Sequence, residues 1–283
     1  IKKLELIEIL SKSSYGFLNG VFCGVLTIGS LPIWENVFKV ITPLKLLELS
    51  NPNQSLLKRL LLETPGTYHH SVLVGNLSER AAEAIGADPL IARVGSYYHD
   101  IGKLKRPYFF KENQIGADNP HDKLQPSMST LIITNHVKDG IALGKQYKLP
   151  KEIIDIIAQH HGDTAVMFFY HKAKQQEDGI EVKIEDFRYP GPKPQTKEAA
   201  LVMLADSTEA AVRSIKDPNK KNIEEMIRNV IKGKLEDGQL SECNITLKDL
   251  NTIAIAFSSV LMGIYHERIE YPDLNLEKEK GEI

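Results

Sequence analysis

The segment GSYYHDIGKLKRP, residues 95–107, is the starting point for the fold and the chemistry of this chain. It places His99 and Asp100 side by side at the end of an apolar helical stretch. That helix is predicted to begin at Asp88-Pro89, because aspartate is a favoured N-cap and proline suits the first helical position. One His-Asp pair arises often by chance, so its meaning depends on partners elsewhere in the chain.

The composition narrows the class of protein. The chain has 283 residues, enough for one large or two small domains, and its hydrophobic and charged fractions of 42% and 25% are ordinary for a globular protein. A formal net charge of −2 argues against a broad electrostatic contact with a nucleic-acid polymer. The two cysteines, Cys23 and Cys243, provide neither a disulfide framework nor a CxxC metal site. A reducing, cytosolic compartment is therefore expected.

Helical periodicity runs through most of the sequence and predicts an all-α fold. The exception is a short strand pair near residues 180–190, where IEVKIEDFRY alternates apolar and polar residues. Thr67 and Thr196 are predicted to cap the N-termini of their helices. Helices are expected near residues 67–84, 88–98, 126–147, 150–161, 196–214, 220–234 and 246–269.

The first 50 residues are predicted to form two or three helices, broken at Gly16, Pro32 and Pro43. Their most apolar segment, FLNGVFCGVLTIGSLPIW (17–34), is interrupted by glycines and polar residues. It falls short of an uninterrupted membrane span of about 20 apolar residues. It is interpreted either as a buried or interfacial helix, or as a juxtamembrane segment that follows an excised span. Because the first residue is isoleucine rather than methionine, the chain is expected to be a piece of a longer protein.

Histidines concentrate at helical positions that are predicted to face inward. His70 lies on the apolar stripe of its helix, and His160 and His161 each follow an isoleucine by four residues. Asp206 shares a helix face with small and apolar residues. An ionised carboxylate on a buried face is costly unless it is paired or binds a metal. The predicted metal site consists of His70, His99, Asp100, His136, His160, His161 and Asp206.

Five imidazoles and two carboxylates exceed the ligands that one ion uses. They suit two ions about 3.5–4 Å apart with Asp100 between them, as in phosphoryl-transfer sites. Mixed imidazole and carboxylate ligands favour iron or manganese, with zinc as an alternative. The competing interpretation is structural: any single histidine could be a hydrogen-bonded core residue, and Asp206 could pair with Arg213. No ligand role is assigned to His69, His121, His171 or His266, although His69 could orient a ligand.

The order H…HD…H…HH…D is that of the HD-domain metal phosphohydrolases. Four longer segments resemble the bacterial seven-transmembrane-receptor HD family: LLLETPGTYHHS, YYHDIGKLKRPYFFKENQ, IIAQHHGDTAVMFFYHKA and KEAALVMLADSTEAAVRS. The resemblance spans nearly the whole chain, and the family includes membrane-bound phosphodiesterases of cyclic di-AMP. After HHGD the chain reads TAVMF, so it lacks the GYP tripeptide of the enzymes that cleave cyclic di-GMP.

The resemblance implies an HD-domain helical bundle and a division into three parts. N-terminal juxtamembrane or linker helices would occupy residues 1–50, the phosphohydrolase domain residues 51–271, and a charged tail residues 272–283. The implied reaction is hydrolysis of one phosphodiester bond of cyclic di-AMP to give linear pApA. The implied location is the cytoplasmic face of the cell membrane, to which an N-terminal region would attach the domain. A homodimer is one possible oligomeric state.

The resemblance also implies roles for individual residues. One ion would bind to His70, His99, Asp100 and Asp206, and the other to Asp100, His136, His160 and His161. Asp100 and Lys103 would act in catalysis, with Lys103 of the HDxGK element as a positive charge near the phosphate. Arg213 is a weaker candidate for a substrate contact.

Two other classes of function stay open at the level of sequence. One is an HD phosphohydrolase that acts on another nucleotide, such as cyclic di-GMP, a nucleoside triphosphate or an alarmone. The other is a non-catalytic sensory or interaction module. A degenerate module would have lost ligands, whereas all seven candidate positions are filled here. The enzyme interpretation is therefore favoured.

Overall fold

The computed structural model describes residues 6–38, 40–114, 116, 118–176, 182–216 and 218–265. Within these ranges the chain is helical and forms no β-sheet, which confirms the predicted all-α class. The α-helices are α1 (Leu6–Phe38), α2 (Pro43–Leu49), α3 (Ser55–Glu63), α4 (Pro65–Ile85), α5 (Pro89–Tyr98), α6 (Pro126–Gln146), α7 (Lys151–Gln159), α8 (Met167–Gln176), α9 (Lys197–Arg213), α10 (Lys220–Glu236) and α11 (Leu247–Ile264). Short 3-10 helices are formed by Ile101–Lys105, Pro107–Phe109, Lys111–Asn113, Pro120–Lys123 and Ile184–Phe187.

The strand pair expected near residues 180–190 is not formed by the described part of that range. Ile184–Phe187 is a 3-10 helix, and a single antiparallel bridge joins Arg188 to Ala165. A strand needs a neighbour along its length, and here the pairing stops after one residue. The side chain of Phe187 is buried beside Phe169 in a small apolar cluster. The tail predicted at residues 272–283 lies outside the described residues.

The chain divides into two compact units between Gln54 and Ser55. In the first unit, α1 is one continuous helix that passes through Gly16 and Pro32, so the predicted breaks at these two positions are wrong. At about 1.5 Å per residue a helix of 33 residues extends roughly 50 Å, more than the approximately 30 Å of a hydrocarbon core. The earlier expectation that this region falls short of a span is therefore also wrong.

The described residues contain two helical stretches that are long and apolar enough to cross a membrane. In α1 the stretch Ile7–Glu35 has a mean hydropathy of 1.6 and none of it is buried. In α11 the stretch Leu247–Ile264 has a mean hydropathy of 1.3, but a third of it is buried. Ile253 and Phe257 of α11 are fully buried in the core of the second unit. The α11 stretch is thus a core helix, whereas α1 exposes its apolar side chains.

Two of the three N-caps predicted for helices of the second unit are observed. Asp88 accepts from the backbone N–H of Ile91 at 3.0 Å, and Thr196 accepts from that of Ala199 at 3.2 Å, as predicted. Thr67 is not a cap: α4 begins two residues earlier at Pro65, and Thr67 is buried in its first turn. Its position is decided by long-range packing rather than by the local sequence.

The core of the second unit surrounds α9, which packs against α4, α5, α7 and α10. Leu77, Val202, Ile227 and Phe257 are completely buried there. Because α9 is covered on several sides, most of its residues are inaccessible, including Asp206 and Glu209. The helices that pack on α9 bring the ends of α5 and α7 to its centre, where the polar residues collect.

Candidate metal centre

All seven predicted site residues meet at one place in the second unit. His70 projects from α4, His136 from α6 and Asp206 from α9. His99 and Asp100 follow the last residue of α5, and His160 and His161 follow the last residue of α7. All are buried except His161, whose side chain is 19% exposed.

Gly102 explains why the HDxG element can reach this position. A Cβ atom at Gly102 would lie 1.8 Å from the carbonyl oxygen of His136, so only glycine allows the 3-10 helix Ile101–Lys105 to approach α6 this closely. Gly140 lies at the same crossing, with its backbone nitrogen 2.6 Å from that Cβ position. The close approach brings His136 to the carboxylate of Asp100.

Asp100 lies at the centre of the cluster. Its Oδ1 is 3.3 Å from Nε2 of His136 and 3.7 Å from Nε2 of His160. Its Oδ2 is 3.3 Å from Nε2 of His99 and 3.7 Å from Nε2 of His70. The two oxygens therefore face different pairs of imidazoles, which is the geometry that a carboxylate shared between two ions requires.

Asp206 forms a second carboxylate on the opposite side of the cluster. Its Oδ1 lies 3.0 Å from Nε2 of His70 and 3.9 Å from Nε2 of His99. Its Oδ2 lies 3.7 Å from Nδ1 of His161. Asp206 does not pair with Arg213, so this alternative for the buried carboxylate is excluded: Arg213 instead contacts Glu209 at 3.4 Å.

Three imidazoles are oriented by their own backbone. Each directs Nδ1 at the carbonyl oxygen three residues earlier, at 2.6 Å for His99, 2.5 Å for His136 and 2.8 Å for His160. A carbonyl can only accept, so Nδ1 carries the proton and Nε2 keeps a free lone pair. All three Nε2 lone pairs are thereby directed at Asp100.

This arrangement is unfavourable without a cation. Nε2 of His136 and Nε2 of His160 are 3.2 Å apart, and neither can donate to the other. Nε2 of His99 and Oδ1 of Asp100 are buried without a hydrogen-bond partner. Bare nitrogen and oxygen acceptors that converge in this way fit a divalent transition metal, which accepts lone pairs from imidazole and carboxylate together.

The ligand atoms fall into two groups around the shared carboxylate. Within each group they lie within 4.8 Å of one another. The first group is His70, His99 and Asp100, and the second is Asp100, His136, His160 and His161. Asp206 adjoins the first group through its contact with His70.

Comparison with known proteins assigns the fold and the motif to a family. The sequence model of the HD domain matches residues 67–211, which include all seven site residues. The chain belongs to the HD-domain family. A second family model, for the 7TM receptor with intracellular HD hydrolase, matches residues 1–42. This match and the exposed apolar face of α1 indicate that the HD domain is associated with a membrane. Together with the buried His/Asp cluster, membership of the family indicates divalent metal binding.

Two similar relatives are named cyclic-di-AMP phosphodiesterase PgpH. The cyclic-di-AMP phosphodiesterase PgpH of Bacillus subtilis (strain 168) is 54% identical over 94% of this chain, and that of Listeria monocytogenes serotype 1/2a (strain 10403S) is 48% identical over 94%. The chain spans 37% of the length of each of these relatives. The crystal structure of the L. monocytogenes phosphodiesterase PgpH HD domain in complex with cyclic-di-AMP is 50% identical, covers 76% of this chain and 99% of that one, and has a TM-score of 0.72.

Glu209 is a functional candidate that sequence reasoning missed. Its Oε2 accepts from Nδ1 of His70 at 2.6 Å, and its side chain is 3% exposed. A carboxylate in this position orients a metal-binding imidazole and increases its basicity. The sequence offered a signal, since Glu209 follows Asp206 by three residues and so lies on a neighbouring position of the same helix surface.

Residues of the candidate metal centre have pKa values that are shifted in opposite directions. Burial alone would lower the pKa of His70, but hydrogen bonds to Asp206 and Glu209 raise it to about 9. Burial lowers the pKa of His160 to about 3. Burial would raise the pKa of Asp100, but the charge of Lys103 holds it well below its usual range. The carboxylate therefore stays ionised, and His160 stays neutral, as metal ligands must.

Lys103 is enclosed by two carboxylates rather than directed into open space. Its ammonium donates to Oδ2 of Asp100 at 2.6 Å and to Oε1 of Glu112 at 2.7 Å. Burial lowers the pKa of Lys103, but the two carboxylates raise it above its usual value, so it stays charged. Glu112 comes from the 3-10 helix Lys111–Asn113, which periodicity arguments do not reach.

Residues of the centre and their neighbours line a cavity of about 300 Å³. Tyr189 stacks on His161, with ring centroids 4.2 Å apart, and lines this cavity together with Lys103 and Arg213. Neither His121 nor His171 takes part in the described cluster. His121 is buried and its Nε2 contacts the carbonyl oxygen of Phe109 at 2.9 Å. His69 lines a neighbouring cavity, and His266 lies outside the described residues.

Proposed function

We propose that this HD domain hydrolyses cyclic di-AMP to linear pApA. The observation that carries the proposal is the convergence of three Nε2 lone pairs on the ionised carboxylate of Asp100, a metal-binding centre of the kind used in phosphoryl chemistry. The substrate is supported by the relatives named cyclic-di-AMP phosphodiesterase and by the half-identical HD domain that holds cyclic-di-AMP.

We propose two ions, iron or manganese, with Asp100 shared between them. The first would be held by His70, His99, Asp100 and Asp206, and the second by Asp100, His136, His160 and His161. When bound, such ions polarise a phosphoryl oxygen and lower the pKa of an attacking water. The protein holds the ligands in place through the Nδ1 hydrogen bonds of its imidazoles, so little reorganisation is needed.

The remaining charges at the centre suit a phosphodiester substrate. Lys103 keeps its positive charge beside Asp100 and would stabilise negative charge that develops near the phosphate. Arg213 lines the same cavity and is 47% exposed, and among the described residues its ion pair is a 3.4 Å contact to Glu209, so it can turn toward a substrate phosphate. Tyr189 covers the cavity beside His161.

The proposed organisation follows the sequence-based division of the chain. Residues 1–50 would form the juxtamembrane part, residues 51–271 the phosphohydrolase domain and residues 272–283 a charged tail. The catalytic domain would lie at the cytoplasmic face of the membrane, where its nucleotide substrate is found. The exposed apolar stretch of α1 supports the proposed association with a membrane.

A substrate panel with product identification tests the function. The purified chain, loaded with Mn²⁺, is incubated with cyclic di-AMP, cyclic di-GMP, ATP, a guanosine alarmone and a short RNA, and products are identified by mass spectrometry. Cyclic di-AMP should be cut to pApA fastest, and a chelator should abolish the reaction. Faster hydrolysis of another member of the panel would replace the substrate assignment. Activity in fully metal-free protein would contradict the metal centre itself.

A further inference from the structure

A second cavity shares a lining residue of α9 with the cavity at the metal centre. Its volume is about 790 Å³, within the range of roughly 300–1,000 Å³ that small-molecule sites occupy. Ser207, the neighbour of Asp206, lines both this cavity and the smaller one at the metal centre. A ligand that places a phosphate at the metals can therefore extend past Ser207 into the larger space, which is called the α10 cavity below.

Most of the α10 cavity is apolar. Residues of α8, α9, α10 and the segments that flank them provide its hydrocarbon lining: Ala165, Met167, Ile184, Ala211 and Val230. Two side chains, Asn229 and Lys234, add hydrogen-bonding groups from α10. Apolar walls with a few polar groups are what a flat heteroaromatic ring requires, because its faces are hydrophobic and its edge accepts hydrogen bonds.

Lys234 is the group in this cavity that lacks a charged partner. Its ammonium donates to the hydroxyl of Thr164 at 3.0 Å, and no described residue forms an ion pair with it. The nearby Asp237 is instead paired with Arg188 at 3.1 Å. Burial lowers the pKa of Lys234, and the more distant charges of Asp206 and Asp237 oppose this only in part. A partly buried ammonium with one neutral acceptor has donor capacity left for a ligand.

We propose that the α10 cavity holds one purine base of the cyclic dinucleotide and that Lys234 donates a hydrogen bond to a ring nitrogen of that base. This inference rests on the proposed function. A base and its phosphate are joined through one ribose, so their sites must be neighbours, as the two cavities that share Ser207 are. A second phosphate suits this space poorly, because Arg188 is paired with Asp237 and Lys234 alone among apolar walls cannot compensate the desolvation of a phosphate.

The same reasoning separates this cavity from the one on the other side of the centre. That cavity, of about 670 Å³, is lined by Lys111 and Arg213, and also by Glu112 and Glu209, which are bonded to Lys103 and His70. Lys111 and Arg213 suit the anionic part of a dinucleotide. The apolar α10 cavity suits the base.

The test compares Lys234→Met with Lys232→Met in the full chain loaded with Mn²⁺. Lys232 lies two residues away on α10, is 70% exposed and makes only a 3.7 Å contact with Glu236, so its substitution controls for loss of charge on this helix. Each protein is assayed with cyclic di-AMP and with bis(p-nitrophenyl) phosphate, a phosphodiester that has no purine. The readout is the ratio of kcat/KM for the two substrates, with metal content measured in parallel.

Lys234→Met should lower this ratio about 10- to 100-fold, mainly through KM for cyclic di-AMP, as the loss of a charged hydrogen bond predicts. Lys232→Met should keep the wild-type ratio. Val230→Trp fills the α10 cavity one turn before Lys234 and should also lower the ratio. It replaces Lys234→Met as the test variant if Lys234→Met does not fold. An unchanged ratio in both cavity variants would overturn the inference while leaving the proposed function intact. Wild-type protein that cuts bis(p-nitrophenyl) phosphate but not cyclic di-AMP would overturn both.

Discussion

Replacing Asp100 with asparagine tests the shared carboxylate most directly. The side chain is 1% exposed, and asparagine preserves its volume while removing its charge. In metal-free protein the main loss is the 2.6 Å contact with Lys103, which keeps Glu112 at 2.7 Å. The free energy of unfolding should therefore fall by about 1.5–3 kcal/mol, the value of one hydrogen bond to a charged group. It should not fall by the roughly 3–5 kcal/mol of a buried charge left unpaired.

In the metal-loaded protein the effect should be larger, because both proposed sites lose the anionic ligand that they share and the second site keeps only imidazoles. An ion present at about 100 times its dissociation constant stabilises the native state by about 2.7 kcal/mol. For a domain of this size, each kcal/mol raises Tm by roughly 2–4 °C. Wild-type protein should thus gain about 5–10 °C for each ion that it binds. Asp100→Asn should gain almost nothing.

The assay is calorimetry of both proteins in a chelator and after addition of Mn²⁺, with elemental analysis of each sample. His171→Ala is the matched control, because His171 is exposed and makes no described contact with the cluster. The sequence alone suggested His121 for this purpose, but His121 is buried beside Phe109 and its removal would destabilise the fold. If Asp100→Asn binds two ions and gains the same Tm as wild type, the shared-ligand reasoning is wrong.

Four further predictions concern His70, Lys103 and the N-terminal residues. At pH 7.5, metal binding should release a proton from His70, whose pKa is raised to about 9, and calorimetric titration in buffers of different ionisation enthalpy measures it. In metal-free protein, the stability that charged His70 contributes should be complete below about pH 6.5 and be lost as pH rises through about 9, which urea unfolding at several pH values would detect. Lys103→Met should lower the free energy of unfolding in a chelator by about 3–5 kcal/mol, because Asp100 and Glu112 are left as buried, unpaired carboxylates. Adding Glu112→Gln to this variant should restore part of the lost stability. If the losses of the two single variants simply add in the double variant, the two side chains do not interact as described. Deleting residues 1–54 should leave the helices of the second unit and its metal binding intact, but should abolish sedimentation of the protein with lipid vesicles. A truncated chain that still sediments would exclude α1 as the membrane contact.

Residues on regular helices were predictable, and residues placed by tertiary packing were not. His70, His136 and Asp206 were found because a period of 3.6 residues assigns each position to a face. Glu112 was missed because it lies on a short 3-10 helix without a periodic pattern. That helix is seated against the start of α4, where a Cβ atom at Gly66 would lie 1.9 Å from the carbonyl oxygen of Glu112. No local sequence pattern predicts that the backbones at Gly66 and Glu112 come this close.

The same distinction explains the errors in the N-terminal helix and in the strand pair. Gly16 and Pro32 weaken a helix locally, but neither ends α1, and the helix continues through both. Residues 182–189 alternate like a strand, but one bridge from Arg188 to Ala165 is all the pairing they find. A strand is defined by its neighbour, which a sequence window does not contain.

The sequence by itself determined the helical class, most helix starts and the identity of the seven residues at the centre, because periodicity and capping act within a few residues. Only the tertiary structure decided how these residues are used. It placed the two oxygens of Asp100 toward different imidazoles, left His160 neutral while His70 is charged, and brought Glu112 to Lys103 and Glu209 to His70. Such contacts join residues up to 139 positions apart, so they depend on how the helices pack around α9 and not on any local pattern.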